Sequence, residues 1–104
     1  MSMRGTPTVQ CRKVMLFVAG NEPNSVAAAA NLRRLRESTP GCEIDFEIVD
    51  VLIQHPVALQ RRVLVTPCLI LVDPQPEVMI VGSLTDLDKV RLALRLPPEV
   101  QRDG

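Results

Sequence analysis

The stretch Lys13-Val-Met-Leu-Phe-Val-Ala-Gly-Asn-Glu-Pro-Asn-Ser25 decides how the chain begins to fold. Lys13 to Ala19 is a nearly continuous apolar run, which suits a strand covered on both faces of a sheet. Gly20-Asn21 stops it, and Glu22-Pro23-Asn24-Ser25 supplies a proline and capping residues for a helix start. From Pro23 to Glu37 the residues are mostly Ala, Leu and Arg, which favour helix. Ala28, Leu32 and Leu35 fall on one stripe of that helix, and Arg33, Arg34 and Arg36 project away from its centre. Thr39-Pro40-Gly41 ends it. Glu43 to Val49 then alternates: Ile44, Phe46 and Ile48 on one side, Glu43, Asp45 and Glu47 on the other. Outward charge of this kind marks an edge strand. Strand, helix and strand in this order read as a right-handed βαβ unit.

Downstream, Pro56 opens a short helix running to about Arg62. Cys68 to Val72 and Val78 to Val81 read as strands, and Asp73-Pro-Gln-Pro-Glu77 joins them with turn chemistry into a hairpin. Ser83-Leu-Thr-Asp86 resembles a capping box opening a last helix, with Leu87, Val90 and Leu94 as its apolar stripe and Pro97-Pro98 as its stop. The order β-α-β-(α)-β-β-α is that of a thioredoxin-like α/β domain. It places the first strand centrally in a mixed four-stranded sheet, with the second strand parallel beside it and the hairpin on the other side. Thioredoxin-like domains carry a cis proline just before the third strand, and Thr66-Pro67 stands there; an ordinary strand-entry proline is the other reading. The whole chain reads as one domain, residues 1–104, with a core over about 13–96 and flexible termini.

Composition narrows the function. The chain has 104 residues, enough for one small domain, and 46% of them are hydrophobic, enough for a core. Twelve basic side chains balance twelve acidic ones, whereas nucleic-acid modules show a basic excess. Phe17 and Phe46 are the only aromatic residues, too few for a base-stacking platform. No apolar run approaches the roughly 18 residues needed to span a membrane. The polar N-terminus has no signal-peptide core, which points to the cytoplasm. Cys11, Cys42 and Cys68 form no CxxC pair and no zinc spacing, and the single His55 has no companion ligands. The sequence therefore implies no metal and no cofactor. A thiol redox enzyme on this fold needs a thiolate at the start of the first helix. Gly20 to Ser25 contains none, so Cys68 reads as a buried structural thiol, Cys11 as exposed before the strand, and Cys42 as a loop residue. Asp45 and Glu47 are paired carboxylates in principle and solvated edge charges by default.

Four segments together resemble the KaiB family. Leu16-Phe-Val-Ala-Gly-Asn-Glu-Pro-Asn-Ser25 is similar to its Val-Ala-Gly-Asn-x-Pro-Asn-Ser signature. Val49-Asp-Val-Leu52 and Val63-Leu-Val-Thr-Pro67 resemble its Ile-Asp-Val-Leu and Ile-Leu-Ala-Thr-Pro. Ile80-Val-Gly-Ser-Leu84 with Lys89-Val90 resembles its Ile-Ile-Gly-Asp-Leu and Lys-Val. The resemblance implies a non-catalytic protein that binds the hexameric ATPase KaiC and works with other clock or signalling proteins. It also implies a metamorphic chain, with an inactive tetramer whose second half differs and a binding-competent thioredoxin-like monomer.

Two departures from the family pattern are informative. Near the end of the last helix the family has Gly-Leu-Asp, and this chain has Ala93-Leu94-Arg95. Alanine exceeds glycine in helix propensity by about 0.8–1 kcal/mol, and arginine suits a helix C-terminus better than aspartate. Pro67, Ala93 and Arg95 are thus the expected determinants of a resting thioredoxin-like state. Between Gln54 and Arg62 the family is acid-rich, Glu-Glu-Asp-Lys, and this chain has Leu59-Gln-Arg-Arg62. Reversed charge selects a different partner. The expectation is a divergent KaiC-like ATPase in circadian or stress signalling, contacted by Gln54, Leu59, Arg61 and Arg62, with Gly20 to Ser25 shaping the adjacent loop. The competing readings are a thiol redox protein and a stand-alone sensor domain of the histidine-kinase type.

Overall fold

A computed structural model describes residues 10–96. The elements are β1 (Gln10–Val18), α1 (Pro23–Glu37), β2 (Cys42–Asp50), α2 (His55–Gln60), β3 (Cys68–Asp73), β4 (Val78–Val81) and α3 (Leu87–Ala93). The four strands form one sheet in the order β2-β1-β3-β4. β1 pairs parallel with β2 and antiparallel with β3, and β3 pairs antiparallel with β4. This is the expected mixed sheet, with β1 central and the acidic strand β2 at an edge. The Thr66–Pro67 bond is cis, and so are Asp73–Pro74 and Gln75–Pro76.

The two sheet faces are covered unequally. On one face Val14, Leu16, Val18, Ile44, Leu69 and Leu71 pack under α1 and α3, and the stripe Ala28, Leu32, Leu35 of α1 is fully buried there. On the other, Phe17, Val49, Cys68 and Ile70 pack against Ala58 of α2. A six-residue helix is about 9 Å long, so it shelters one end of that face only. The alternation of β2 holds for Ile44, but Ile48 is exposed at the sheet edge while Val49, on the opposite face, is buried.

Several boundaries differ from the sequence reading. β1 begins at Gln10, so Cys11 is exposed within the strand instead of before it. Cys42 opens β2 and is buried, not in a loop, because its side chain shares the covered face with Ile44. α2 ends at Gln60 rather than Arg62, where Arg62 turns to φ 60°. Ser83 does not cap the last helix. Asp86 does, accepting the Lys89 backbone N–H at 3.2 Å, because Leu84 takes φ 63° and turns the chain first. The connection is pinned to α1 by Asn31, whose side-chain amide donates to the Ser83 carbonyl at 2.9 Å. The expected stop at Pro97-Pro98 lies outside the described residues, as do the expectations for both termini; α3 already ends at Ala93.

Two buried arginines fasten α3. Arg12 of β1 is 8% exposed, and its Nε donates to the Leu94 carbonyl at 2.8 Å. Its Nη2 donates to the Arg95 carbonyl. Arg91 of α3 donates from Nη2 to Ser38 Oγ at 2.7 Å, beyond the end of α1, and pairs with Asp88. Its Nε is buried without a partner.

Candidate functional site

The first strand's turn and the second strand's exit are tied into one unit. Gly20 has φ 53°, a conformation that glycine adopts without the Cβ penalty. Its N–H donates to Asp50 Oδ1 at 3.1 Å, and the same oxygen accepts the Leu52 N–H at 3.0 Å. A Cβ at position 20 would stand 3.3 Å from Leu52 Cδ1. Glu22 caps α1, with its carboxylate accepting the Ser25 N–H at 3.0 Å. Ser25, itself buried, accepts the Ala19 N–H at 3.1 Å through Oγ. The Gly20–Ser25 segment is thereby a rigid shoulder beside the segment that follows β2.

That segment is where apolar side chains face water. Leu52, Ile53, Leu59, Leu64 and Val65 are all exposed, Ile53 and Leu59 to 75% and Leu64 to 92%. Leu59 lies on, and the other four flank, a short helix that buries only Ala58. Large exposed apolar side chains gathered in one stretch mark an interaction surface more often than a solvated one. Gln54 is the exposed N-cap of α2 and makes no side-chain capping bond. Arg62 is exposed. Arg61 is turned elsewhere: its Nη1 meets Glu77 Oε2 at 2.8 Å, so its charge is compensated within the chain. Of the four partner-facing residues expected, Leu59, Gln54 and Arg62 therefore share this open surface and Arg61 sits at its border. Sequence reading passed over Leu52, Ile53, Leu64 and Val65. The available signal was two apolar triplets, Val51-Leu-Ile53 and Val63-Leu-Val65, flanking a helix too short to bury both.

The remaining chemistry is sparse. A cleft of about 360 Å³ lies on the sheet face that α2 leaves open, walled by Lys13, Asp45, Glu47 and Arg61 over Met15 and Val72. Its carboxylates are exposed and solvated. On α1, Arg33 and Arg34 are exposed, and the Arg36 guanidinium stacks 4.6 Å from the centre of the Phe46 ring. His55 is exposed at the start of α2. Among the described residues no group of three or more His, Cys, Asp or Glu is placed to hold a metal ion, and no helix is long and apolar enough to cross a membrane.

The three cysteines are free, with no disulfide between them. Burial pushes the Cys68 thiol above its ordinary pKa. Cys42 is raised too, chiefly by burial, with Arg12 pulling it down and Cys11 pushing it up. A raised pKa leaves little thiolate, the reactive form. In the native protein at pH 8, iodoacetamide should alkylate the exposed Cys11 alone, with Cys42 and Cys68 labelled only after denaturation. Mass spectrometry of the alkylated peptides checks this, and rapid labelling of Cys68 would reopen the redox reading.

A cis proline directly before the strand that pairs antiparallel with the central one, on a β2-β1-β3-β4 sheet, defines a thioredoxin-like α/β protein. Solved structures agree. The N-terminal domain of Synechococcus elongatus SasA superposes with a TM-score of 0.69 at 22% identity, covering 100% of this chain and 97% of that one. Saccharomyces cerevisiae mitochondrial thioredoxin 3 gives 0.67 at 17% identity, covering 83% and 78%. Within that class, residues 15–96 match the KaiB domain, and the chain belongs to the KaiB family. It is 37% identical over 84 residues to the circadian clock protein KaiB3 of Synechocystis sp., covering 81% of this chain and 82% of that one. It is 38% identical over 81 residues to the circadian clock oscillator protein KaiB of Prochlorococcus marinus, covering 78% and 77%.

Proposed function

We propose that this chain is a single-domain, non-catalytic interaction module of the cytoplasm that docks on a KaiC-like hexameric ATPase and modulates circadian or stress signalling. It rests mainly as a thioredoxin-like monomer, and a tetramer with a different second half is its minor state. The observation that carries the docking reading is the exposed apolar segment around α2, continuous with the rigid Gly20–Ser25 shoulder. Leu59 supplies the apolar contact, Gln54 a polar rim and Arg62 the charge that steers an acidic partner surface. Arg61, paired with Glu77, acts on the partner only by giving up that pair.

Affinity purification from the source cell followed by mass spectrometry tests the reading. The expected result is co-recovery of a KaiC-type ATPase; recovery of no ATPase or kinase overturns it. Leu59→Asp and Arg62→Glu should each weaken the complex at least tenfold, which is about 1.4 kcal/mol. Arg33→Glu, on the far side of α1, should leave the affinity within a factor of two.

A further inference from the structure

Arg91 is 7% exposed, and its Nε–H is buried with no acceptor among the described residues. A buried donor left unsatisfied is costly and calls for a reason. The guanidinium is a planar fork, and its Nε–H and one Nη2–H point the same way, matched to two oxygens of one oxyanion. The Nη2 prong of that pair already lies on Ser38 Oγ at 2.7 Å. The unsatisfied Nε prong stands directly beside it. The other side of the fork is in use, with Nη1 at 3.4 Å from Asp88 Oδ1. A serine hydroxyl offers the pair one oxygen. A phosphoryl group on that hydroxyl offers it several.

We propose that Ser38 is a phosphorylation site and that Arg91 receives the phosphate side-on through Nε and Nη2. In the transfer, Ser38 Oγ attacks the γ-phosphorus of a nucleoside triphosphate held by a protein kinase. The Oγ–P bond forms, and the bond from that phosphorus to the bridging oxygen breaks. The nucleoside diphosphate leaves, and the hydroxyl proton passes to the kinase's catalytic base.

Ser38 is placed for this step. It is the C-cap of α1 and half-exposed, at a helix end where local opening costs least. The next hydroxyl, Thr39, is 3% exposed and donates to the Leu35 carbonyl at 2.9 Å, so it is shut in. Arg33, Arg34 and Arg36 precede Ser38 by five, four and two positions, and all three are exposed. That run suits a kinase with an acidic substrate groove. Some neighbours oppose the phosphate. The helix dipole is negative at this end, Glu37 adjoins it, and Asp88 lies on the far side of Arg91. Ser38 also gives up its own donation to the Leu35 carbonyl at 3.0 Å. The buried Arg91 fork outweighs these, because charge-assisted paired bonds are strong and little water competes there. Arg34, one turn back on α1, adds a second cation. The phosphate thus clamps α3, which carries Arg91, to the end of α1.

Full-length protein with phosphoserine incorporated at position 38 tests the geometry. The Arg91 Nε–H resonance should move downfield and show coupling to phosphorus, a signature that needs no further variant. Amide-exchange protection of Val90–Leu94 should rise about tenfold. Arg91→Lys keeps the charge without the fork and should cancel most of that rise, with circular dichroism confirming its fold. Mass spectrometry of the protein isolated from its source cell tests the site itself. Fragmentation of the tryptic peptide 37–61 separates Ser38 from Thr39, and the phosphate is expected on Ser38. No phosphate at Ser38 in the cell, no coupling to Arg91 Nε–H, or a fall in α3 protection overturns the proposal. A rise in protection that survives Arg91→Lys overturns the role of the fork.

Discussion

Replacing Arg12 with methionine should lower the stability of the fold by about 3 kcal/mol and strip hydrogen-exchange protection from α3. Arg12 lies on the central strand, yet its guanidinium serves the far end of the chain, donating to the carbonyls of Leu94 and Arg95. The last carbonyls of any helix lack partners within it and carry the negative end of the helix dipole. Here a buried cation meets them. α3 has seven residues, too few to hold a helix on propensity alone. Methionine preserves the apolar stem of Arg12 and removes both donations, leaving the buried Leu94 carbonyl and the part-buried Arg95 carbonyl without the guanidinium. Losing hydrogen bonds to a charged group costs about 1.5–3 kcal/mol each, so losing these donations supports a figure of about 3 kcal/mol. Urea unfolding gives the first quantity and amide exchange at Val90–Leu94 the second. Arg12→Lys should recover part of the loss, since one ammonium lacks the planar fork that reaches two carbonyls together. A change below 1 kcal/mol with α3 still protected would show that the core under Leu94 and Leu96 holds the helix without Arg12.

Arg12 also shows where sequence reading stops. The strands and helices were legible because their apolar residues repeat at fixed spacing: Ala28, Leu32 and Leu35 on α1, Ile44 and Phe46 on β2. Thr66-Pro67 and the Gly20–Ser25 turn were legible because their residue types carry local geometry. Arg12 carries neither signal. It looks like one polar residue before an apolar run, and its partners lie 82 positions away for Leu94 and 83 for Arg95. The same holds for the candidate surface. Leu59 and Arg62 stand out by charge and position, but the exposure of Leu64 depends on how little of the sheet a six-residue helix covers. Arg61 and Glu77, sixteen positions apart, meet only because the hairpin brings Glu77 back past α2. Ser83 failed as a cap because its spacing to Asp86 is right while Leu84 between them takes a left-handed turn.

Ala93→Gly combined with Arg95→Asp should destabilise the thioredoxin-like state by about 2 kcal/mol and raise the share of any competing topology roughly tenfold or more. The two positions act by different routes. Ala93 is the last residue of α3, and glycine there costs about 0.8–1 kcal/mol in helix propensity. Arg95 follows the helix with φ 57°, and it closes the turn: its N–H reaches the Leu92 carbonyl at 3.1 Å, and the Leu96 N–H reaches Arg91 at 2.9 Å. Glycine is the residue usually chosen for such a left-handed closing position. Arginine instead holds it by its side chain, whose Nη2 donates to the carbonyls of Pro74 at 3.0 Å and Pro76 at 3.4 Å in the β3–β4 turn. Its cation also complements the helix end. Aspartate removes that tether and places a negative charge beside the carbonyls of the helix end, though its short side chain tolerates the left-handed backbone better. Arg95→Gly separates these effects. It relieves the backbone penalty of about 1 kcal/mol while losing the tether, so it should be nearly neutral. Two-dimensional NMR of the variants reads the outcome directly, as a second set of peaks for residues after Asp50. A double variant with one set of peaks and unchanged stability would show that Ala93 and Arg95 do not hold the thioredoxin-like state.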